Sequence, residues 1–448
     1  MDFICYHKIP IIEPKLQPMD FLSQILFLLV TGVAVWLFSK SVKRIRRNIL
    51  LGKDLDLSDN KAERFKTMAL VALGQSKMTA RPVAGFFHIL IYVGFVLINI
   101  EVLEILLDGA LGTHRLFMEP LGSVYFVAMG FFEILGLLVI IACIVFLFRR
   151  NLMHVARFKS PELKGWPLLD ANVILVVEVV LMGALFVMNA ADKSFQQASS
   201  MPVSSFIAPW FEGLSDATAH NWVVGAWWFH LVGILWFLNY IPYSKHLHIF
   251  LAFPNTYFSS LKPKGSFSNN ELVSHEVKAM MDPSYTPPEV ENPRFGVKDV
   301  EDLSWKNLMD AYSCTECGRC TAACPANITG KLLSPRKVMM DTRDRLEEVG
   351  SQLDGKTPEP ETEKDLHSYI SKEELMACTT CNACAEACPV NINPVEIIVG
   401  MRQYLIMEKS DSPSEWNIMF NNMENNGAPW QFAQSEKLNW AQEENTSS

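Results

Sequence analysis

Eight of the ten cysteines in this 448-residue chain fall into two runs of one pattern. Cys314, Cys317, Cys320 and Cys324 form the first, and Cys378, Cys381, Cys384 and Cys388 the second. Each reads C-x2-C-x2-C-x3-C and is followed by a proline, Pro325 or Pro389. This is iron–sulfur spacing: three closely spaced thiolates wrap a corner of one cube, and the fourth, beyond a helical turn, points to the other. Cys314, Cys317, Cys320 and Cys388 are therefore expected on one [4Fe–4S] cluster, and Cys378, Cys381, Cys384 and Cys324 on a second. Zinc would need only paired C-x2-C and would leave the two prolines unexplained. Cys5 and Cys143 are isolated, and nothing suggests a secreted disulfide framework. The chemistry is one-electron transfer in a reducing compartment.

A second set of candidates is histidine. His88, His230 and His248 lie in or beside long apolar segments. His230 and His248 are 18 positions apart, a whole number of turns and about 27 Å if one unbroken helix holds both. Pro242 is a possible kink. His88 and His248 fall at one depth on two helices, and facing imidazoles in a bundle are a way to hold a b-type haem iron axially. The alternative is an interfacial histidine satisfied by backbone or headgroups. That reading is preferred for His154 and for His7, His114, His220, His275 and His367 in loops or the polar half; His246 reads as a neighbour. Glu133 and Glu178 lie in apolar segments, as do Glu101 and Glu104. They are either polar groups that fix helix packing, the favoured reading, or part of a proton path toward a quinone site. Cys143 reads as a small packing residue.

The elements that must position these groups divide sharply. Half the residues are hydrophobic and the mean hydropathy is +0.15, but the apolar blocks end near Phe253. Five crossings are expected, at Phe21–Phe38, Pro82–Leu107, Leu121–Phe148, Ala171–Ala190 and Trp222–Tyr243. Lys and Arg cluster after the first, third and fifth, which places the N-terminus outside and the C-terminal half in the cytoplasm. The basic residues follow the first apolar core rather than precede it, so that segment reads as a retained helix and not a signal peptide. The net charge of −9 argues against a nucleic-acid partner. In the polar half, helices are expected over Val300–Tyr312, from Ser334-Pro335 to Glu348, and from Asn393-Pro394 to Met407. Residues 351–370 read as an exposed insertion.

The membrane half resembles the gamma subunit of respiratory nitrate reductase, through five crossings, His230-Leu-Val-Gly, and the run Ile241-Pro242-Tyr243-Ser244-Lys245-His246-Leu247-His248. The resemblance implies that His248 and His88 hold an inner haem and that His230 belongs to an outer one. Ile98 stands where that family has its fourth ligand and cannot coordinate iron. An outer haem is then absent, or takes another ligand such as His114. The polar half resembles the C subunit of heterodisulfide reductases and related iron–sulfur oxidoreductases, through both cysteine runs, the stretch Gly330–Lys337 and Ala377–Cys381. Its module is mostly helical. The combination resembles membrane oxidoreductases that take electrons from electron-transfer flavoprotein and reduce menaquinone. Those continue into Cys-Cys-Gly domains, which implies a separate cysteine-rich iron–sulfur subunit as partner here.

The expected fold is all-α: a five-helix transmembrane haem b domain (1–253), a linker (254–310), a helical dicluster ferredoxin domain (311–410) and a polar tail (411–448). The expected function is that of a quinone-linked oxidoreductase subunit in the cytoplasmic (inner) membrane, passing electrons between a cytoplasmic donor and the quinone pool. The alternative is the electron-donating membrane subunit of a quinol-linked thiol–disulfide reductase. A tethered redox sensor ranks third, since no signalling domain is visible.

Overall fold

The computed structural model describes residues 21–263, 265–290, 293–356 and 364–441. Cys5, His7 and the polar lead, the middle of 351–370 and the end of the tail lie outside these residues. The fold is all-α. Among the described residues there is no strand, only a bridge between Lys53 and Ser304.

Among the described residues, five helices are long and apolar enough to cross a membrane. Helix α1 (Phe21–Ile49) runs past its apolar part through Arg46 and Arg47, because Lys and Arg are good helix formers and cations suit a helix C-terminus. Helix α2 (Pro82–Leu111) opens with Pro82 at its first position, where no N–H is needed. It closes on Gly112, whose φ of 73° and N–H bond to the Asp108 carbonyl form a left-handed cap. Helices α3 (Ser123–Asn151), α4 (Trp166–Ala191) and α5 (Asp216–Tyr240) complete the bundle. α4 packs between α3 and α5, α2 lies on α3, and α1 lies on α2 and α5.

The fifth crossing is not one unbroken helix up to His248. Pro242 cannot donate to the helical ladder. The helix stops at Tyr240, two 3-10 turns follow (Ile241–Tyr243 and Lys245–Leu247), and α6 (His248–Tyr257) starts afresh. The expected whole-turn register between His230 and His248 therefore does not hold. Asp170 of α4 fastens the break. It accepts from the Tyr240 hydroxyl at 2.5 Å, the Ser244 hydroxyl at 2.6 Å and the Lys245 backbone N–H at 3.1 Å.

Below the bundle the chain is more ordered than its composition suggests. A helix at Glu271–Met281, capped by Asn270, lies in the stretch expected as linker. Val297, Val300 and Leu303, from the same stretch, are buried. The amphipathic helix starts later than expected, as α7 (Trp305–Ser313), because Ser304 and Asn307 form a capping box. α8 (Pro335–Leu353) starts where Ser334 caps the Lys337 N–H. Leu366 and Ile370 are fully buried, so the end of 351–370 is core and not an exposed insertion. α9 (Pro394–Gln403) follows the second cysteine run, and the tail contributes a helix at Ser414–Asn426.

One apolar core joins the two halves. Ile45, Ile174, Phe237, Ile241 and Leu247 from the foot of the bundle pack with Leu308, Tyr312, Cys314, Val338 and Ile398. The cysteine-bearing part is thus seated on the bundle by buried surface rather than hung on a tether.

Candidate functional site

The two cysteine runs fold alike. In each, the residue two after the first cysteine and the residue after the second have positive φ: Glu316 (54°) and Gly318 (70°), then Thr380 (55°) and Asn382 (57°). Left-handed residues at these places curl the loop so that successive thiols face one centre. At 318 the need is also steric, since a Cβ there would lie 2.3 Å from Arg336 Nη1. Each loop ends in a five-residue helix, Arg319–Ala323 or Ala383–Ala387. These two helices pack against each other, which carries each fourth cysteine across to the opposite loop.

Cys314, Cys317, Cys320 and Cys388 line one cavity together with Met339, Val390 and Ile392, and Cys384 of the second run also lines it. Cys378 and Cys384 each have Cys324 and Cys381 as thiol neighbours. Among the described residues no three Cys, His, Asp or Glu side chains close on a point as ligands of one ion would. Backbone N–H groups of Thr380 and Ile392 donate to Cys378 Sγ at 3.4 Å and Cys388 Sγ at 3.3 Å. Burial and neighbouring sulfur push the Cys314, Cys384 and Cys388 thiols up to about 12. Four thiolates in such a cavity need compensating positive charge, which the iron of a cluster carries. The donor set, its spacing and its N–H···S bonds fit a cube on each side. Each cage has two buried cysteines, Cys314 and Cys388 or Cys324 and Cys384, and the second alone also has an exposed one, Cys381.

The first cage touches the bundle. Lys245, from the break after α5, pairs with Glu316 inside the first loop, and Glu316 also pairs with Arg343 at 3.0 Å. Lys77 Nζ, just ahead of α2, donates to the carbonyl of Cys388 at 3.1 Å, and Arg319 Nη1 returns a bond to the Lys77 carbonyl at 2.8 Å. Asn48 of α1 donates to the Tyr312 hydroxyl at 2.9 Å. Pattern reading missed these residues, because an ion pair between distant loops leaves no local periodicity.

His88 and His248 face each other with ring centres 6.5 Å apart. An iron atom bonded to two imidazoles at about 2 Å each sets their centres roughly 6 Å apart. His248 Nδ1 is 3.0 Å from the Lys245 carbonyl, which leaves Nε2 for a ligand. His88 Nδ1 is buried without a partner among the described residues. The pair fits axial ligation of one haem. His246 lies edge-on to His248 at 5.5 Å and against Phe237.

His230 is elsewhere. Its Nδ1 is 2.9 Å from the Leu181 carbonyl, and among the described residues no histidine faces it. His114 is 3.2 Å from Asp192, and Ile98 is buried in the far apolar core. Among the described residues the structure brings His88 to His248 and brings no histidine to His230. Glu133 accepts from the Val203 and Ser204 N–H groups at 2.9 Å and from Asn189 at 3.1 Å. Glu104 accepts from the Tyr125 hydroxyl and the Phe117 N–H, both at 2.8 Å. These bonds fasten loops to helices. Both carboxylate oxygens of Glu101 are buried without a donor among the described residues, and Glu178 lies near Cys143.

Paired cysteine cages seated under apolar crossing helices define an iron–sulfur protein of the electron-transfer class. Two family models, each described as a 4Fe-4S dicluster domain, match residues 313–392 and 274–329. The chain is 27% identical over 94% of its length to the probable iron-sulfur-binding oxidoreductase FadF of Bacillus subtilis. It is 27% identical over 95% of its length to the EtfAB:quinone oxidoreductase of Syntrophomonas wolfei. It spans 61% and 60% of the lengths of these two relatives. The C subunit of the ferredoxin/F(420)H(2)-dependent CoB-CoM heterodisulfide reductase of Methanosarcina acetivorans is 30% identical over 22% of this chain and 49% of its own. No solved structure matches.

Proposed function

We propose that this chain carries electrons between a donor in the cytoplasm and quinone in the membrane. The eight cysteines hold two [4Fe–4S] clusters, and His88 and His248 hold one haem b. When bound, these groups supply one-electron chemistry, and the protein supplies position, burial and hydrogen bonds. Seating of the Cys314/Cys317/Cys320/Cys388 cage against the foot of the bundle, through Lys245 in the turn before His248 and Lys77 in the turn before the helix of His88, is the observation that carries this reading. The cage with exposed Cys381 faces the soluble donor, and the first cage, tied to the foot of the bundle, faces the membrane. The basic residues after α1 and α3 support a cytoplasmic position for the cysteine domain.

The name of the Syntrophomonas wolfei relative supports an electron-transfer flavoprotein as donor, and the likeness to a heterodisulfide reductase subunit supports a separate cysteine-rich iron–sulfur subunit as a further partner. The likeness to a heterodisulfide reductase subunit favours a second reading, in which quinol is the donor and a thiol–disulfide reductase subunit the acceptor. One preparation separates them. The protein is purified with its natural partners, and reduced-minus-oxidised spectra are recorded on addition of reduced flavoprotein or of quinol. Haem reduced through the flavoprotein supports the first direction; haem reduced by quinol with no flavoprotein response supports the second.

A further inference from the structure

The end of the bundle away from the cysteine domain buries more carboxyls than cations. α2 starts beside the first cage, just after Lys77, and ends at Leu111. Glu101, Glu104 and Asp108 lie in its far half at a spacing of three and four, so they share one face, and they are 4%, 4% and 5% exposed. Glu133 of α3 and Asp192, just after α4, are buried as well. Among the described residues one buried cation, Arg115, acts on this group, and it is spent on Asp192 at 3.0 Å, with further bonds to Asn189 at 2.9 Å and Tyr125 at 3.3 Å. His114, 37% exposed at its side chain, pairs with Asp192 too. α1 also packs on α2, and none of its residues from Phe21 to Ser39 is titratable.

Four of these five carboxyls have donors. Asp108 accepts from the Thr113 hydroxyl at 2.6 Å and from the N–H groups of Arg115 at 2.8 Å and Leu116 at 3.1 Å. Glu104 and Glu133 hold the loop bonds already described, and Asp192 has Arg115. Glu101 is the exception. Both its oxygens are buried with no partner among the described residues. The charges that act on it are those of Arg115, Glu104 and Glu133, so its carboxyl sits among theirs. An ionised carboxylate sealed from water without a donor is one of the costliest groups a protein can bury, and an intramembrane one calls for a ligand or a role. Among the described residues no three Cys, His, Asp or Glu side chains close on a point as a metal ion needs, which leaves the proton.

We propose that Glu101 is a proton-binding site, a carboxylic acid in the resting protein, whose proton exchanges with water at the end of the bundle away from the cysteine domain. A run of polar groups leads out. Glu104, next on the same face of α2, accepts from the Tyr125 hydroxyl at 2.8 Å, Tyr125 meets Arg115 at 3.3 Å, and Arg115 and His114 share Asp192. A phenol hydroxyl both gives and accepts a proton, while Arg115 stays charged and holds the run together. In the exchange an O–H bond at Glu101 breaks and one at the next acceptor forms, with no electron moved. Glu101 lies 13 positions past His88, about 20 Å along the helix, so the site is separate from the histidine pair and does not rest on haem.

The experiment uses the full chain in detergent with Glu101→Gln, the conservative Glu101→Asp, Tyr125→Phe and His114→Ala. Infrared spectra at neutral pH read the C=O stretch of protonated carboxyls, and transfer to heavy water reads its downshift with time. The expected result is a carboxylic acid band in the wild type that Glu101→Gln loses, that Glu101→Asp displaces, and that heavy water shifts. Tyr125→Phe and His114→Ala are expected to keep the band and slow its shift. A neutral amide then replaces a neutral acid, so Glu101→Gln is expected to melt at the wild-type temperature. Glu101→Asp keeps the test usable if Glu101→Gln does not fold. A carboxylic acid band equal in wild type, Glu101→Gln and Glu101→Asp overturns the proton site. A band lost in Glu101→Gln but never shifted by heavy water overturns the exchange and leaves a sealed packing group. A shift as fast in Tyr125→Phe and His114→Ala as in the wild type overturns the exit run.

Discussion

His88 and His248 face each other at 6.5 Å, with ring planes inclined by 41°, although one sits inside a crossing helix and the other begins a new helix after a break. This pair is the junction of the proposed route. His248→Ala and His88→Ala are each expected to abolish the haem bands of a pyridine haemochrome spectrum while both clusters remain. His230→Ala is expected to keep the haem, because its ring is tied to the Leu181 carbonyl. It should cost about 2–3 kcal/mol of stability through the cavity and the lost bond.

Cross-over of the fourth cysteine gives a second test. Cys388→Ser is expected to lose the cluster on Cys314, Cys317 and Cys320, although Cys388 is nearer in sequence to Cys378, Cys381 and Cys384. Cys324→Ser is expected to lose the other. Electron paramagnetic resonance with iron analysis distinguishes the two outcomes, and loss of the sequence-neighbouring cluster in either variant contradicts the pairing.

Lys245 and Glu316 are 9% and 4% exposed at their side chains. Breaking a buried pair from one side leaves a charge in a poor solvent and costs about 3–5 kcal/mol. Lys245→Met is therefore expected to lower the melting temperature in detergent and to shed the first cluster before the second. The double variant Lys245→Met/Glu316→Gln should recover part of the loss. A single variant as stable as the wild type rules out this pair as the clamp between the halves.

Asp170→Asn tests the break after α5. A neutral amide weakens the acceptors for Tyr240, Ser244 and the Lys245 N–H, with an expected cost of about 1–3 kcal/mol. His248 hangs on the same turn through the Lys245 carbonyl. Haem occupancy should fall with stability, and both are read from one purified sample.

Iron removal should act on one half. The thiols of Cys314, Cys384 and Cys388, held up near 12 by burial, take protons once iron is gone, and their cavities lose their filling. Chelation after oxidation is expected to make residues 311–410 protease-sensitive while the crossing helices stay protected. Equal resistance before and after chelation would mean that the domain does not need its clusters to fold.

Much of this was legible in the chain. Apolar segment length marked every crossing, since a bilayer imposes a length that few soluble helices meet. Cysteine spacing marked both loops, because a cube fixes the distance between its ligands. Ser334-Pro335 and Asn393-Pro394 marked two helix starts through local capping chemistry. What escaped was tertiary. Pro242 signalled a possible kink, but only Asp170, more than one helix away in sequence, decides that the helix ends there. Val297, Val300 and Leu303 sit among prolines and charges and looked like linker, yet they bury against the cysteine domain. The outer haem was left open by the chain, and among the described residues no histidine faces His230, while Ile98 is packed in the core.

The most direct test is stopped-flow reduction of the purified protein, with haem absorbance followed after a soluble one-electron donor is added. The route from cysteine cage to histidine pair requires rapid haem reduction in the wild type and its loss in Cys388→Ser, with haem content equal in both. Haem reduced as fast without the first cluster would contradict that route.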